Sequence, residues 1–136
     1  TLFSCTVVVP IVQPVVVLVV DDNADAHQLV QRYLQGSPYA FVGVRDPHQA
    51  LARATELKPR VILMDVMLPG IDGWELLGRL REHPATHNTP VIVCTILPQE
   101  RLALTLGAAG FLRKPFTRAM LLAALDRQIA LLRGAH

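Results

Sequence analysis

Five short apolar segments constrain the fold of this chain more than any other feature. They are VVVLVV (15–20), YAFVGV (39–44), VILM (61–64), VIVC (91–94) and GFLR (110–113). Most are rich in β-branched or aromatic residues, and all are too short for a buried helix, so each is predicted to be a strand. Because the segments are continuously apolar and do not alternate, we expect a parallel sheet buried between two helical layers.

The stretches between the predicted strands carry helix patterns and helix boundary signals. Residues 26–34 place apolar side chains at helical spacing, and Gly36 follows as a stop signal. Asp46, which precedes a proline, predicts the start of a second helix, and Asp72, three residues before Glu75, has the spacing of a capping box. Thr117 precedes the last and longest helix. The chain is therefore expected to be a βα unit repeated five times.

The N-terminal segment, residues 1–14, is predicted to lie outside the domain, which covers residues 15–133. The first 20 residues carry no charge, but prolines interrupt them and the apolar run after Pro14 is only six residues long. A spanning helix needs about 20 apolar residues, and a signal peptide needs a basic front end. We expect neither, and regard residues 1–14 as a cloning remnant, disordered chain or the cut edge of a longer protein. No output domain is expected after the last helix.

Composition restricts the partners and the compartment. The formal net charge of +2 is too small to predict binding to nucleic acid or to a membrane. The two cysteines, Cys5 and Cys94, lack the spacing of a metal site, which favours a reduced, cytoplasmic protein over a disulfide framework. Four histidines share no ligand spacing and are expected at the surface: His27, His48, His83 and His87.

Polar residues follow four of the predicted strands at their carboxyl ends. Asp21 and Asp22 follow the first strand, Asp65 the third, Thr95 the fourth and Lys114 the fifth. Each alone has an ordinary structural role, as a helix cap, a strand former or a surface lysine. In open α/β sheets, however, ligands bind beyond the carboxyl ends of the strands. We therefore expect the five residues to converge on one site.

The chemistry of that site follows from its charges. Carboxylates repel one another by about 4 kcal/mol per pair at 4 Å in a surface-like dielectric. A hard divalent cation, Mg²⁺ or Mn²⁺, relieves the repulsion, and Mg²⁺ usually shares its ligands with phosphate. Lys114 and Thr95 then offer a cation and a hydroxyl to phosphoryl oxygens. The site is predicted to perform phosphoryl transfer to or from an aspartate.

Four segments that carry these residues resemble the receiver domain of two-component response regulators. They are VLVVDDNADA, VILMDVMLPGIDGWELL, PVIVCT and GAAGFLRKPF. The resemblance covers about residues 15 to 133. It implies a doubly wound, flavodoxin-like three-layer sandwich with a five-stranded parallel sheet in the order 2-1-3-4-5. It also implies a signalling phosphoacceptor of a phosphorelay rather than an enzyme that turns over a metabolite.

The resemblance assigns roles to the acidic residues. Asp65 would accept a phosphoryl group from a sensor histidine kinase or a histidine phosphotransfer protein. Asp22 and Asp65 would bind Mg²⁺ directly, and Asp21 would support it through water. The backbone carbonyl of Met67 would complete the protein ligands.

The resemblance also implies a switch. Lys114, joined to Pro115 by a cis peptide bond, would pair with the phosphoryl oxygens. Thr95 would turn its hydroxyl toward the phosphoryl group while Phe111 rotates inward. These movements would switch the surface around the fourth helix, the fifth strand and the fifth helix.

Several residues depart from the family pattern. Met67 is displaced from its common place directly before the proline, which Leu68 occupies. Ile96 stands where a small residue is common and is expected to slow loss of the phosphoryl group. Residues 96–113 form a shorter connection than usual, which predicts a shortened fourth helix and a homodimer interface that is altered or absent. Phe111 has no hydroxyl, so a switch there depends on packing alone.

Two other functions remain open. An aspartate-nucleophile phosphatase of the haloacid dehalogenase type wants a second acid two residues after the nucleophile, but Met67 stands there. A receiver-like interaction module that is never phosphorylated would keep the fold without using the chemistry.

Overall fold

The computed structural model describes residues 13–134, which form five parallel strands and five α-helices. The strands are β1 (Val15–Val20), β2 (Tyr39–Val44), β3 (Val61–Met64), β4 (Val91–Thr95) and β5 (Gly110–Arg113). Their order in the sheet is β2-β1-β3-β4-β5. The predicted flavodoxin-like architecture is confirmed, and β4 is one residue longer than expected.

The register of the central strands determines which residues meet at the carboxyl edge of the sheet. Val20 at the end of β1 is paired with Met64 at the end of β3. Asp21 and Asp65, the residues that follow, therefore leave the sheet side by side. Most of the predicted N-terminal extension, residues 1–12, lies outside the described residues.

The helices are α1 (Ala24–Leu34), α2 (Ala50–Leu57), α3 (Gly73–Glu82), α4 (Glu100–Thr105) and α5 (Arg118–Gly134), with a 3₁₀ turn at Pro47–Gln49 before α2. At six residues α4 is less than two turns long, which confirms the predicted shortening. No helix within residues 13–134 is long and apolar enough to cross a membrane.

Short polar side chains begin the first three α-helices or the turn before them. Asn23 accepts hydrogen bonds from two backbone N–H groups of α1, and Asp46 accepts one in the 3₁₀ turn. Asp72 accepts one from the start of α3 at 2.9 Å. The expected capping box is only half formed, because Glu75 pairs with Arg79 one turn along α3, at 2.8 Å.

Side chains from opposite faces of the sheet form two separate apolar cores. Leu18 and Val20 of β1 pack on the side of α2, α3 and α4. Val17 and Val19, the alternate residues, pack on the side of α1 and α5. Burial on both faces confirms the prediction made from the continuous apolar segments. A buried aliphatic side chain contributes about 1.5–3 kcal/mol to folding, so the two cores stabilise the sheet that carries the carboxyl edge.

Gly73→Ala is expected to destabilise the protein, by about 1–3 kcal/mol. A Cβ atom at Gly73 would lie 2.2 Å from the backbone oxygen of Val66, in the loop after β3, so that loop or the start of α3 must move. At Gly78, also in α3, a Cβ atom meets nothing within 4 Å. The matched variant Gly78→Ala should instead stabilise the helix, by about 0.5–1 kcal/mol. Urea unfolding measures the free energy of unfolding of both variants. A Gly73→Ala variant as stable as the wild type would contradict the close approach of residue 73 to the backbone of Val66.

Candidate functional site

Two carboxylates and one lysine meet at the carboxyl edge of the sheet. Lys114 Nζ lies 2.7 Å from Asp21 Oδ2 and 2.8 Å from Asp65 Oδ2. Asp21 is 5% exposed and Asp65 8%, while the lysine side chain retains 23% of its exposure. The predicted convergence of these three residues is therefore seen in the structure.

The second oxygen of each carboxylate is bound by the backbone of its own loop. Asp21 Oδ1 accepts the N–H of Asn23 at 2.9 Å. Asp65 Oδ1 accepts the N–H of Met67, also at 2.9 Å. Each carboxylate is thus oriented on one side by the turn that follows its strand and on the other by Lys114.

The charges of this group favour a cationic lysine. Burial alone would lower the pKa of Lys114, but hydrogen bonds and the negative charges of Asp21 and Asp65 outweigh burial and raise that pKa. One lysine balances only one of the two carboxylates, which leaves the group with a net negative charge. Nearby, burial raises the pKa of the Cys94 thiol to about 12, so this cysteine is protonated at neutral pH.

The loop that carries Lys114 is attached to two other elements. The N–H of Lys114 donates to the carbonyl of Thr95 at 2.9 Å, which extends the pairing of β4 with β5. The Lys114–Pro115 peptide bond is cis. Farther along, the hydroxyl of Tyr33 in α1 donates to the carbonyl of Phe116 at 3.3 Å. The ammonium group is thus presented from a loop held on both sides.

Within residues 13–134, neither of the two residues assigned to a switch forms a side-chain hydrogen bond with the two carboxylates or with the ammonium group. Thr95 is fully buried, and its hydroxyl accepts the N–H of Leu97 at 3.4 Å, a long distance for a hydrogen bond. Phe111 is half-buried and packs against the core on the side of α2, α3 and α4.

The third acid is placed differently from Asp21 and Asp65. Asp22 is half-buried, and its backbone oxygen lies 3.4 Å from Arg45 Nε. Within residues 13–134, no group of three or more His, Cys, Asp or Glu residues is arranged to hold a metal ion. Of the three predicted carboxylates, those of Asp21 and Asp65 contact Lys114 within residues 13–134. The available donors are nevertheless carboxylate and carbonyl oxygens, the ligands that Mg²⁺ prefers.

A cavity of about 380 Å³ opens beside the carboxylate–lysine group. Its walls are mainly apolar and come from the ends of β1, β3 and β4, from α1, and from the loops after β4 and β5. They include Leu29, Ile96, Pro115 and Phe116. Ile96 is 55% exposed, so the residue that departs from the family pattern stands at the border between the site and solvent.

His27 is a site neighbour that the sequence analysis misplaced. It was expected at the surface, but it is 8% exposed, and its Nε2 lies 2.6 Å from the backbone oxygen of Asp21. Its helical spacing from Val30 and Leu34, which share the buried face of α1, was the available signal. Helical spacing alone does not tell a buried histidine from an exposed one.

The fold and the site define the class of protein: a flavodoxin-like α/β domain with two carboxylates and a lysine at its carboxyl edge. A family model described as the response regulator receiver domain matches residues 17–126. The chain therefore belongs to the response regulator receiver family, whose domains serve signalling in two-component systems.

Curated relatives and solved structures agree with this family. The response regulator PleD of Caulobacter vibrioides is 37% identical over 110 residues, which are 79% of this chain and 24% of PleD. The phosphate regulon transcriptional regulatory protein PhoB of Pseudomonas aeruginosa is 34% identical over 112 residues, 80% of this chain and 49% of PhoB. The chain thus spans about a quarter of the first relative and half of the second.

Two solved structures illustrate the fold similarity. The chemotaxis response regulator CheY4 of Vibrio cholerae superposes with a TM-score of 0.77 at 31% identity, covering 85% of this chain and 98% of that one. The receiver domain of the sensor histidine kinase PA1611 of Pseudomonas aeruginosa gives 0.78 at 31% identity, with 86% and 98% covered. That structure holds a magnesium ion coordinated in its active site cleft.

Proposed function

We propose that the domain accepts a phosphoryl group on Asp65 from a phosphohistidine of a sensor histidine kinase or a histidine phosphotransfer protein. The observation that carries the proposal is the position of Lys114 Nζ, 2.8 Å from Asp65 and 2.7 Å from Asp21. A carboxylate nucleophile beside a fixed cation is the arrangement that phosphoryl transfer requires. The receiver unit is proposed to be residues 15–133.

The transfer exchanges one bond to phosphorus for another. A carboxylate oxygen of Asp65 attacks the phosphorus atom, and an O–P bond forms as the N–P bond of the phosphohistidine breaks. The electron pair of that bond goes to the imidazole nitrogen, and the ring leaves as neutral imidazole because its other nitrogen carries a proton. Lys114 pairs with the phosphoryl oxygens, whose charge dominates the energetics of such reactions.

The acidic residues at the carboxyl edge are proposed to hold Mg²⁺ or Mn²⁺. Asp22 and Asp65 supply carboxylate oxygens, Met67 supplies its backbone carbonyl, and Asp21 acts through water. When bound, the metal supplies positive charge that offsets both the carboxylates and the incoming phosphoryl oxygens. The magnesium ion in the active site cleft of the PA1611 receiver domain supports the proposal of a metal here.

Phosphorylation is proposed to switch the surface around α4, β5 and α5. The hydroxyl of Thr95 accepts a long hydrogen bond from the N–H of Leu97, at 3.4 Å. Because so long a hydrogen bond is weak, breaking it to turn the hydroxyl toward a phosphoryl group costs little free energy. Phe111, half-buried, is proposed to move inward as Thr95 turns. Because α4 is short, a homodimer through this surface would use an altered interface. We also propose a cytoplasmic location, which suits the free thiol of Cys94.

Acetyl phosphate with Mg²⁺ tests the proposal. The intact protein should gain the mass of one phosphoryl group, the modification should be removed by hydroxylamine as expected for an acyl phosphate, and chelation of the metal should prevent it. If neither acetyl phosphate nor a phosphorylated histidine phosphotransfer protein modifies the chain, it is an interaction module and not a phosphoacceptor.

Ile96→Ala is expected to shorten the lifetime of the phosphorylated state. The side chain of Ile96 stands at the border of the site with 55% exposure, where it narrows the approach of water to the acyl phosphate. Loss of the phosphoryl group after removal of acetyl phosphate should become severalfold faster. Leu102→Ala, which shortens an exposed side chain of α4 away from the cavity, is the matched control. An unchanged lifetime of seconds in both variants would rule out shielding by Ile96.

A further inference from the structure

The buried histidine of α1 makes a direct contact with an acid of the site. His27 Nε2 lies 2.6 Å from the backbone oxygen of Asp21. A carbonyl oxygen can only accept a hydrogen bond, so Nε2 must carry a proton, and in the neutral ring Nδ1 is then the nitrogen without one. The contact therefore determines the tautomer of His27 as well as its orientation.

Every polar atom of Asp21 is held by a different partner. Its N–H donates to the carbonyl of Val44 at 3.2 Å, and its carbonyl accepts from His27. Its carboxylate accepts from the N–H of Asn23 and from Lys114. Among these four contacts, only that of His27 ties the main chain of Asp21 to the body of α1.

The ring of His27 occupies a space that exists because residue 43 is a glycine. A Cβ atom on Gly43 would lie 2.3 Å from Nδ1 and 2.8 Å from Cε1 of the ring. Phe41, on the same strand, meets the ring edge-on at 5.7 Å between centroids and an angle of 85°. Glycine weakens the interior of a strand and often marks close approach of another group. The approaching group here is the ring of His27.

We propose that His27 and Gly43 are positioning residues for Asp21, and through it for the acidic pocket. This inference rests on the proposed function of the pocket. Gly43 makes room for the ring, Phe41 limits its rotation, and Nε2–H holds the carbonyl of Asp21. The carboxylate is then presented toward Lys114 and a bound cation. The pair acts from β2 and α1 and contacts neither the phosphoryl group nor the metal.

The first arm of the test uses the interaction between the two residues. Gly43→Ala should push the ring away from Asp21, lower the melting temperature and shift the ¹⁵N signal of His27 Nε2. In the background of His27→Ala the clash with the ring is gone and only Cζ of Phe41, 2.9 Å from that Cβ atom, remains in the way, so the same Gly43→Ala change should lower the melting temperature much less. Gly78→Ala, where a Cβ atom meets nothing within 4 Å, is the control for a glycine replacement without a clash. If Gly43→Ala lowered the melting temperature equally in both backgrounds, the proposed close contact between Gly43 and the ring of His27 would be wrong.

The second arm measures what the pair does for the site. Calorimetric titration with Mg²⁺ should show affinity reduced by about tenfold in His27→Phe, the lower end of the range for residues that orient metal ligands. His27→Gln, which restores an Nε2–H donor without the ring, should recover most of the affinity, whereas a purely structural role would not distinguish the two. Unchanged affinity in folded His27→Phe would refute the proposal. If the wild-type protein itself bound no Mg²⁺, the proposed function would fail instead, and the first arm would still decide the pairing.

Discussion

Asp65→Asn is expected to leave the protein folded and to abolish phosphorylation by acetyl phosphate. An amide oxygen has no negative charge and is a poor nucleophile toward phosphorus. The amide can still accept the N–H of Met67, and Lys114 retains its contact of 2.7 Å with Asp21. The loss of one charge-assisted hydrogen bond costs about 1.5–3 kcal/mol, but the relief of the repulsion between Asp65 and Asp21 offsets part of this cost, so the free energy of unfolding should change by less than that.

Intact mass after incubation with acetyl phosphate and Mg²⁺ measures the effect, and circular dichroism verifies the fold. Asp72→Asn is the matched control, because it makes the same chemical change at the exposed cap of α3, where asparagine caps as well as aspartate. The control should be phosphorylated like the wild type. A modified Asp65→Asn protein would show that another residue is the acceptor.

The strands were predictable because their signal is local. Each apolar segment contains its own evidence of burial on both faces, and the structure places β1, β2, β3 and β5 at the predicted bounds. The convergence of Asp21, Asp65 and Lys114 followed from the same reasoning, since residues after neighbouring parallel strands must share an edge.

The features that the sequence did not predict depend on contacts between distant segments. His27 is buried because Gly43, on a different element, leaves room for its ring. The roles of adjacent acids also depend on the path of the chain after β1: Asp21 contacts Lys114, whereas the backbone oxygen of Asp22 lies 3.4 Å from Arg45 Nε. Glu75 had two short-range partners of similar small energy, and its pairing with Arg79 could not be chosen from spacing.

Lys114→Met is expected to reduce the rate of phosphorylation by about 100-fold or more, the usual effect of removing one group that stabilises charge in a transition state. The variant also leaves Asp21 and Asp65 facing each other without a cation. Breaking a fully buried ion pair costs about 3–5 kcal/mol. Since the lysine side chain is 23% exposed, we expect a smaller loss of unfolding free energy, about 2 kcal/mol at neutral pH.

The direction of the pKa shift of Lys114 predicts how the loss of unfolding free energy in Lys114→Met changes with pH. The pKa of Lys114 is raised in the folded protein, so its stabilisation is fully present below the ordinary lysine pKa of about 10.4 and is lost as the pH rises through the folded value. The difference in unfolding free energy between wild type and variant should therefore shrink in strongly alkaline solution.

Urea unfolding at several pH values, with and without Mg²⁺, tests both the cause and the size of the effect. Mg²⁺ should stabilise Lys114→Met more than the wild type, because the cation then relieves a larger repulsion. Lys58→Met, the same replacement at an exposed residue after α2, is the control and should behave like the wild type. A variant whose stability loss is independent of both pH and Mg²⁺ would mean that Lys114 acts through packing of its aliphatic chain and not through its charge.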